Sequence, residues 1–571
     1  MSNYADVDDD NFYSFIDKRF AIFKIPKTKK TLKQICFPEK YEFQIPQKFL
    51  AEFINPKTPY KGILVYHRIG AGKTCTAINI AENFKNQVKI VIVLPASLKG
   101  NFRSELRSPC AGENYLTNKE RAELAKYHPS SNEYKDIIKL SDDRIDKYYT
   151  IYSYNKFVDL IKKKTINFNN TLLIIDEVHN MISETGTYYQ TLYDKIENSP
   201  DNMRLVIMSA TPIFDKPNEI ALTMNLLIKG EDKLPTGQEF VNTFMDIVYT
   251  PKGTSYEVVN MDLFKRYIKG YVSYYRGAPP TVFPRTEMFF SRVKMSDTQY
   301  NMYRKVVPKE MKKSQARDYV NDDISNSFFI GTRMISNFVF PNGKIGKNGY
   351  ASLKNADFDV ANLKEYSPKF LKILRRIRKC DGTVFVYSNF LKYGGIATFI
   401  KMLERYGYKN YESNGSGTKR FAVWSGDQPP NIKEEIKAVF NNINNEYGKK
   451  IKIILGSPSI KEGVSLLRVQ EVHIIEPYWN MSRINQIIGR AVRFCSHKDV
   501  DIDRQLVKVY IYIAVHPDIK RSIDEHIMNM AIVKQQVNVT FEQSLKEAAV
   551  DCELFKNANV YPGEPEINCE K

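Results

Sequence analysis

The segment Ile63-Leu64-Val65-Tyr66, followed by Gly70-Ala71-Gly72-Lys73-Thr74 and then by a helical pattern to Asn86, constrains the fold more than any other part of the chain. An apolar strand, a glycine turn and a helix make the opening of a βα unit. Parallel strands need long crossover connections, so such a unit implies an α/β architecture. Backbone N–H groups in the glycine turn point at an anion, and the helix start adds the positive end of its dipole. Lys73 suits the β and γ phosphates of a nucleotide, and the Thr74 hydroxyl suits Mg²⁺. One position departs from the full phosphate-loop pattern: His67 stands where an earlier glycine is expected.

Further apolar runs repeat the rhythm. Lys89–Leu94, Leu172–Ile175 and Leu205–Met208 follow the glycine turn, with helix-length stretches between them. A second set comprises Val384–Tyr387, Lys452–Leu455, Val472–Ile475 and Val507–Ala514. Short apolar runs bounded by polar or turn residues suit strands buried on both faces of a parallel sheet. The chain therefore reads as two α/β blocks. The boundaries expected are an N-terminal arm at 1–40, a first domain at 41–230, a bridging domain at 231–368, a second domain at 369–515 and a helical C-terminal segment at 516–571, which frays at Tyr561-Pro562-Gly563.

A length of 571 residues with 43% hydrophobic residues supports several real cores. Lys and Arg number 84 against 65 Asp and Glu, a net charge of +19, which favours an anionic partner, nucleic acid first. Seven scattered cysteines with no Cys-x-x-Cys pair speak for a reducing compartment and against a zinc ribbon or a disulfide scaffold. The acidic start, Met1 to Asp10, has no apolar core of a signal peptide, and no apolar run approaches a membrane span. A soluble, intracellular protein with no membrane partner is expected.

The chemistry sits at strand ends. Leu172–Ile175 runs directly into Asp176-Glu177-Val178-His179. Asp176 can hold Mg²⁺, and Glu177 can orient and deprotonate a water attacking in line. His179 has two readings, a satisfied structural histidine or a relay of nucleotide state through Gln486. Leu205–Met208 leads into Ser209-Ala210-Thr211, whose hydroxyls can couple a nucleotide site to its surroundings. Gln486 to Arg493 places Arg490 and Arg493 three apart, on one face if helical, as permanently charged donors suited to a γ-phosphate. Gln47, ahead of the glycine turn, is either an adenine reader or a plain surface glutamine.

These pieces, in this order, resemble a superfamily 2 helicase-type ATPase of the DExH kind. Gly70–Thr74 is similar to motif I, Asp176–His179 to motif II, Ser209–Thr211 to motif III, Glu462–Leu466 to motif V and Gln486–Arg493 to motif VI. Weaker likenesses are Pro95-Ala96-Ser97 for motif Ia, Tyr152-Ser153-Tyr154 for Ib and Tyr387-Ser388-Asn389 for IV. Met295–Tyr300, soon after Phe283-Pro284, resembles the Swi/Snf-like pattern that precedes a second motor domain, and Ser522–His526 with Leu545–Cys552 resembles proteins of large cytoplasmic DNA viruses, among them poxvirus nucleoside triphosphate phosphohydrolase I and the small subunit of the poxvirus early transcription factor.

The resemblance implies two RecA-like parallel-sheet domains clamping ATP and Mg²⁺. Gly70, Ala71, Gly72, Lys73, Thr74 and Asp176 would bind the nucleotide, with Thr74 and Asp176 on the metal. Lys73, Glu177, Gln486, Arg490 and Arg493 would carry catalysis, and Pro95, Ser97, Ser153, Ser388 and Ser465 would follow a nucleic-acid backbone. It implies an ATP-driven motor on duplex DNA in viral transcription, with DNA preferred over RNA. A viral RNA polymerase or a second transcription-factor subunit would be the protein partner, in a cytoplasmic viral factory or the virion. Two alternatives stand beside it, a promoter-binding transcription-factor subunit and a DExH RNA helicase.

Overall fold

The computed structural model describes all residues except 1–3, 28–29, 69, 129–130, 184–185, 251–252, 312–327, 427, 462–463 and 562–563. The chain divides into two compact units, the first formed by Met1–Pro279 with Gln536–Lys571 and the second by Pro280–Gln535.

In the first unit, β1 (Gly62–His67), β2 (Lys89–Leu94), β3 (Tyr149–Ser153), β4 (Thr171–Asp176) and β5 (Arg204–Ser209) are joined by helical crossovers. A separate hairpin, β6 (Met245–Thr250) with β7 (Gly253–Val258), follows, and β8 (Val272–Tyr275) returns to the edge of the main sheet. The six-stranded order is β3-β2-β4-β5-β1-β8, and every pairing in it is parallel. β4 is buried along its whole length, as its unbroken apolar run requires. The register sets Asp176 against Met208 and Tyr66 against Ser209. The carboxyl ends of β4, β5 and β1 thus lie side by side, which is where an α/β sheet presents its ligand site.

The second unit holds β9 (Arg285–Lys294), β10 (Thr383–Tyr387), β11 (Lys409–Asn410), β12 (Arg420–Trp424), β13 (Ile453–Gly456), β14 (Val469–Ile474) and β15 (Leu506–Val515). They form one seven-stranded parallel sheet in the order β11-β12-β13-β10-β14-β15-β9. The two α/β blocks read from the sequence are thus two parallel-sheet units. The expected bridging stretch 231–368 forms no third unit. Its first part, with β8, joins the first unit, and its second part, with β9, joins the second.

The ends of the chain are also more integrated than their composition suggests. Phe12, Ile16 and Phe20 of the expected arm pack in one core with Phe49, Phe53, Leu554 and Phe555. Tyr13 donates its hydroxyl to Ala548 O at 3.0 Å. Pro562 and Gly563 lie outside the described residues, but the tail after them is anchored: Ile567 is buried, Glu570 N donates to Glu547 O, and Cys569 is joined to Cys552. A second disulfide joins Cys75 to Cys110. The reading against disulfides is corrected by these two pairs. Spacing along the chain carries no information on which distant cysteines a fold brings within bonding range. Among the described residues no helix is long and apolar enough to cross a membrane.

Candidate functional site

The chain leaves β1 and turns through Gly70 (φ +87°) and Gly72 (φ +68°) into the helix Lys73–Phe84. Both angles favour glycine. At Gly72 a Cβ would meet Gln47 Nε2 at 2.6 Å, so a larger residue would also have to push that side chain aside. No side chain caps this helix. Its first internal bond runs from Thr76 N to Gly72 O at 3.0 Å, so the N–H groups of Lys73, Thr74 and Cys75 are left to an incoming oxyanion. Gln47 is buried, and is not a plain surface glutamine. Its Nε2 donates to Gly72 O at 3.2 Å and its Oε1 accepts from Gln44 N at 2.8 Å, so it braces the turn from behind.

His67 fills the place of the missing glycine with a defined job. It is fully buried, and its Nε2 pairs with Ser273 Oγ on β8 at 3.0 Å. Ser273 donates to Asp551, which also accepts from Tyr274 N at 2.9 Å. Burial pushes the His67 imidazole down to about 3, aided by the Lys73 charge, and pushes the Asp551 carboxyl up to about 7. The chain Asp551–Ser273–His67 ties the root of the phosphate turn to the edge strand and the C-terminal segment.

β4 delivers Asp176, whose Oδ1 accepts from Glu177 N at 2.9 Å. Burial raises the Asp176 carboxyl, the neighbouring Glu177 carboxylate adds to this, and Lys73 opposes both. Lys73 thus acts electrostatically on Asp176 as well as on His67. Glu177 adopts a left-handed backbone (φ 51°, ψ 45°), a conformation that costs a non-glycine residue about 1–3 kcal/mol. Its carbonyl is held by Tyr154 OH at 2.9 Å and Asn180 Nδ2 at 3.2 Å. His179 Nδ1 lies 3.5 Å from Glu177 Oε2 and 3.2 Å from Ser209 Oγ, and its ring stacks on Phe214. Ser209 Oγ accepts from Thr211 N at 3.0 Å. One serine hydroxyl therefore joins the acidic end of β4 to the loop that leaves β5.

In the second unit the helix Met481–Ile488 carries Gln486 and stops before Gly489. Arg490 follows it in a turn and Arg493 in irregular backbone, so they do not share the helix face expected of them. They converge all the same. Arg490 Nη1 and Arg493 Nη1 lie 3.5 and 3.4 Å from Val464 O, and Arg493 also donates to Ser465 Oγ. Leu466 N donates to Arg490 O at 2.9 Å. The fifth and sixth sequence motifs are thereby one hydrogen-bonded cluster. Glu462 and Gly463 lie outside the described residues.

Residues 35–214 match the family described as type III restriction enzyme, res subunit, and residues 368–495 match the helicase conserved C-terminal domain. The chain is 71% identical to a protein of Acanthamoeba polyphaga mimivirus named as a candidate ATP-dependent RNA helicase, over all of this chain and 99% of the relative. The chain belongs to the superfamily 2 helicases. A more distant relative, 25% identical over 86% of this chain and 76% of its own length, is a termination factor NPH-I homolog of African swine fever virus. A helicase of Invertebrate iridescent virus 3, also named as a candidate, is 29% identical over 95% of this chain and 56% of its own length.

In this superfamily 2 helicase the residues expected along a nucleic-acid backbone divide. Ser97 is exposed in the turn after β2, while Pro95 beside it is buried. Ser153 stands at the start of the helix Tyr154–Lys162 with no capping bond from its side chain. Ser465 is engaged by Arg493. Ser388 is fully buried and donates to Glu476, so its hydroxyl is not offered to a phosphate. Spacing alone gave no sign of the contacts that Tyr154, Ser273 and Asp551 make here. Their partners lie 22 to 278 residues away, and no local pattern announces such pairs.

Proposed function

We propose that this ATP-hydrolysing helicase is a motor that moves along duplex DNA in viral transcription. The observation that carries the reading of coupled hydrolysis is the sharing of Ser209 between His179, beside the Glu177 carboxylate, and Thr211. A change in the charge at Glu177 is thereby passed to the loop that follows β5. The transcription role is supported by the likeness to a termination factor.

The residues fit a magnesium nucleotide. A carboxylate and a hydroxyl are the hard oxygen ligands Mg²⁺ takes, and Asp176 is a buried carboxyl whose charge lacks a full partner. Asp176 and Thr74 would hold the ion, which supplies charge neutralisation on the phosphate oxygens. The chain's own residues do the rest. The N–H groups of the glycine turn and Lys73 hold the phosphates. Glu177 orients water and takes its proton. In the second unit Arg490 and Arg493 are cations of the kind a transferring phosphoryl group needs.

The experiment that tests this reading is the steady-state ATPase rate with duplex DNA, single-stranded DNA and RNA as separate activators. Stimulation by duplex DNA above the others, without unwinding of a blunt duplex, is the expected result. The name of the relative at 71% identity favours a second reading, an RNA helicase. Stimulation by RNA alone would establish that one and remove the first.

A further inference from the structure

Among the described residues β9 is the outermost strand of the second unit's sheet and is paired on one side only, with β15. Arg285 to Phe290 are all exposed, among them Met288 at 41%, Phe289 at 41% and Phe290 at 49%. Soluble proteins usually blunt such an edge with a proline, a bulge or a short strand. Here the register with β15 runs unbroken from Arg285↔Leu506 to Lys294↔Val515, and the strand contains no proline.

The outward backbone groups can be assigned. Arg285 N donates to Gln505 O at 2.8 Å and Met295 N to Val515 O at 2.9 Å. In a parallel pair a residue bonded to its neighbour alternates with one facing away. Odd positions from 285 therefore bond to β15, and Thr286, Met288, Phe290 and Arg292 present N–H and C=O outward. Lys372, on the helix Pro368–Lys379, takes the outward carbonyl of Arg292 at 3.3 Å, in agreement with this assignment. It also ends the open row, leaving Thr286, Met288 and Phe290 unpaired among the described residues. Phe289 is fixed by stacking on Tyr510 (5.0 Å), over which the Arg376 guanidinium lies (4.0 Å). The rim is cationic: Arg285, Arg292 and Lys294 are exposed on the strand, and Arg375, Arg378 and Lys379 on the adjoining helix. Glu287 is the single acid of the strand, and Glu525 is already paired with Arg292 at 2.6 Å.

We propose that this edge binds an extended, acidic segment of a partner protein as an added strand of the sheet. Backbone bonds to Thr286, Met288 and Phe290 would supply affinity, and the side-chain pattern specificity. Acids on one face of the added strand would meet Lys294 and acids on the other face Arg285, while Arg292 is already held by Glu525. A second copy of the chain is disfavoured because β9 against β9 sets like charges together. A single nucleic-acid strand would match the rings and the cations but leave the row of backbone groups without its complement.

Fluorescence anisotropy on the full-length protein tests this with a labelled peptide of alternating Glu and Val, and with its Lys-Val counterpart. Saturable binding of the acidic peptide is expected, with the basic one at least about tenfold weaker. Met288→Pro removes an outward N–H that β15 does not use, so ATPase activity should be unchanged while peptide affinity falls about tenfold or more. Phe290→Pro serves as the second variant should the first not fold. The proposal is overturned if the acidic peptide does not saturate, or if a folded proline variant binds it as well as the parent. It is overturned equally if the variant instead loses oligo(dT) binding or a sedimenting dimer.

Discussion

Glu177 combines a strained backbone with a partly open carboxylate beside His179. Replacing it with Gln keeps shape and backbone but removes the group that accepts a proton. Glu177→Gln should retain nucleotide binding and lose about 10²–10⁴-fold in kcat; turnover within tenfold of the parent would move the base elsewhere. The Asp551–His67 pair makes a prediction of another kind. Unfolded, an aspartate releases its proton near about 4; in this fold Asp551 holds it up to about 7. The folded chain carries the extra proton between those values, so stability falls as pH rises through that window. His67 runs the other way. It charges near about 6.5 when unfolded and stays neutral down to about 3 when folded, so its contribution is lost as pH falls. The two nearly offset in the parent. Asp551→Asn should therefore gain stability over the parent as pH is raised from about 4 to 7, by at most about 1.4 kcal/mol per unit. A difference in Tm that stays flat across that range would refute it. The placement of Lys73 at a helix start and of Asp176 and Glu177 at a strand end was legible in the sequence because it depends on local spacing. The role of His67 was not, because its partners come from β8 and from the last helices.

At the level of elements, the long apolar strands β1, β2, β4, β5, β10 and β15 were readable from hydrophobic runs. β8 and β9 were not, since β8 is only four residues long and β9 is an exposed edge strand rich in polar residues; β12 was passed over although Phe421–Trp424 is an unbroken apolar run. The helix Pro368–Lys379 illustrates what such elements hide. Its Lys369 is fully buried and donates to Asp524 at 2.6 Å, to Asn337 Oδ1 and to Ile475 O. Asp524 in turn accepts from Ala514 N at the end of β15. Lys369→Met leaves Asp524 charged and buried, so denaturant unfolding should show a loss of about 3–5 kcal/mol. Pairing it with Asp524→Leu should recover most of that loss; a double variant as unstable as the single one would show that packing, and not charge, is at stake. The Cys75–Cys110 link closes a separation of 35 residues from the first turn of the phosphate-loop helix. Cys110→Ser should lower stability by about 3–4 kcal/mol, read as a lower thermal midpoint under non-reducing conditions, with a smaller further drop on adding reductant than the parent shows because Cys552–Cys569 remains.

For the whole molecule, a net charge of +19 makes nucleic-acid affinity a matter of ionic strength. The activator concentration for half-maximal ATPase should rise with salt, with a log–log slope of roughly −0.9 in affinity per phosphate neutralised on duplex DNA; a slope near zero would remove the cationic surface from the account. The division of the chain has a further effect, on the order in which the protein is made. The first unit is completed by residues from Gln536 onward, while Pro280–Gln535 is continuous. On a ribosome the second unit can close while its predecessor still waits for Asp551 and Phe555. A chain released before that point holds every nucleotide-handling motif, yet its phosphate turn has no Asp551 behind Ser273 and His67. Trimming the tail, which looks harmless on a motif map, takes away the last-synthesised wall of the domain that was begun first.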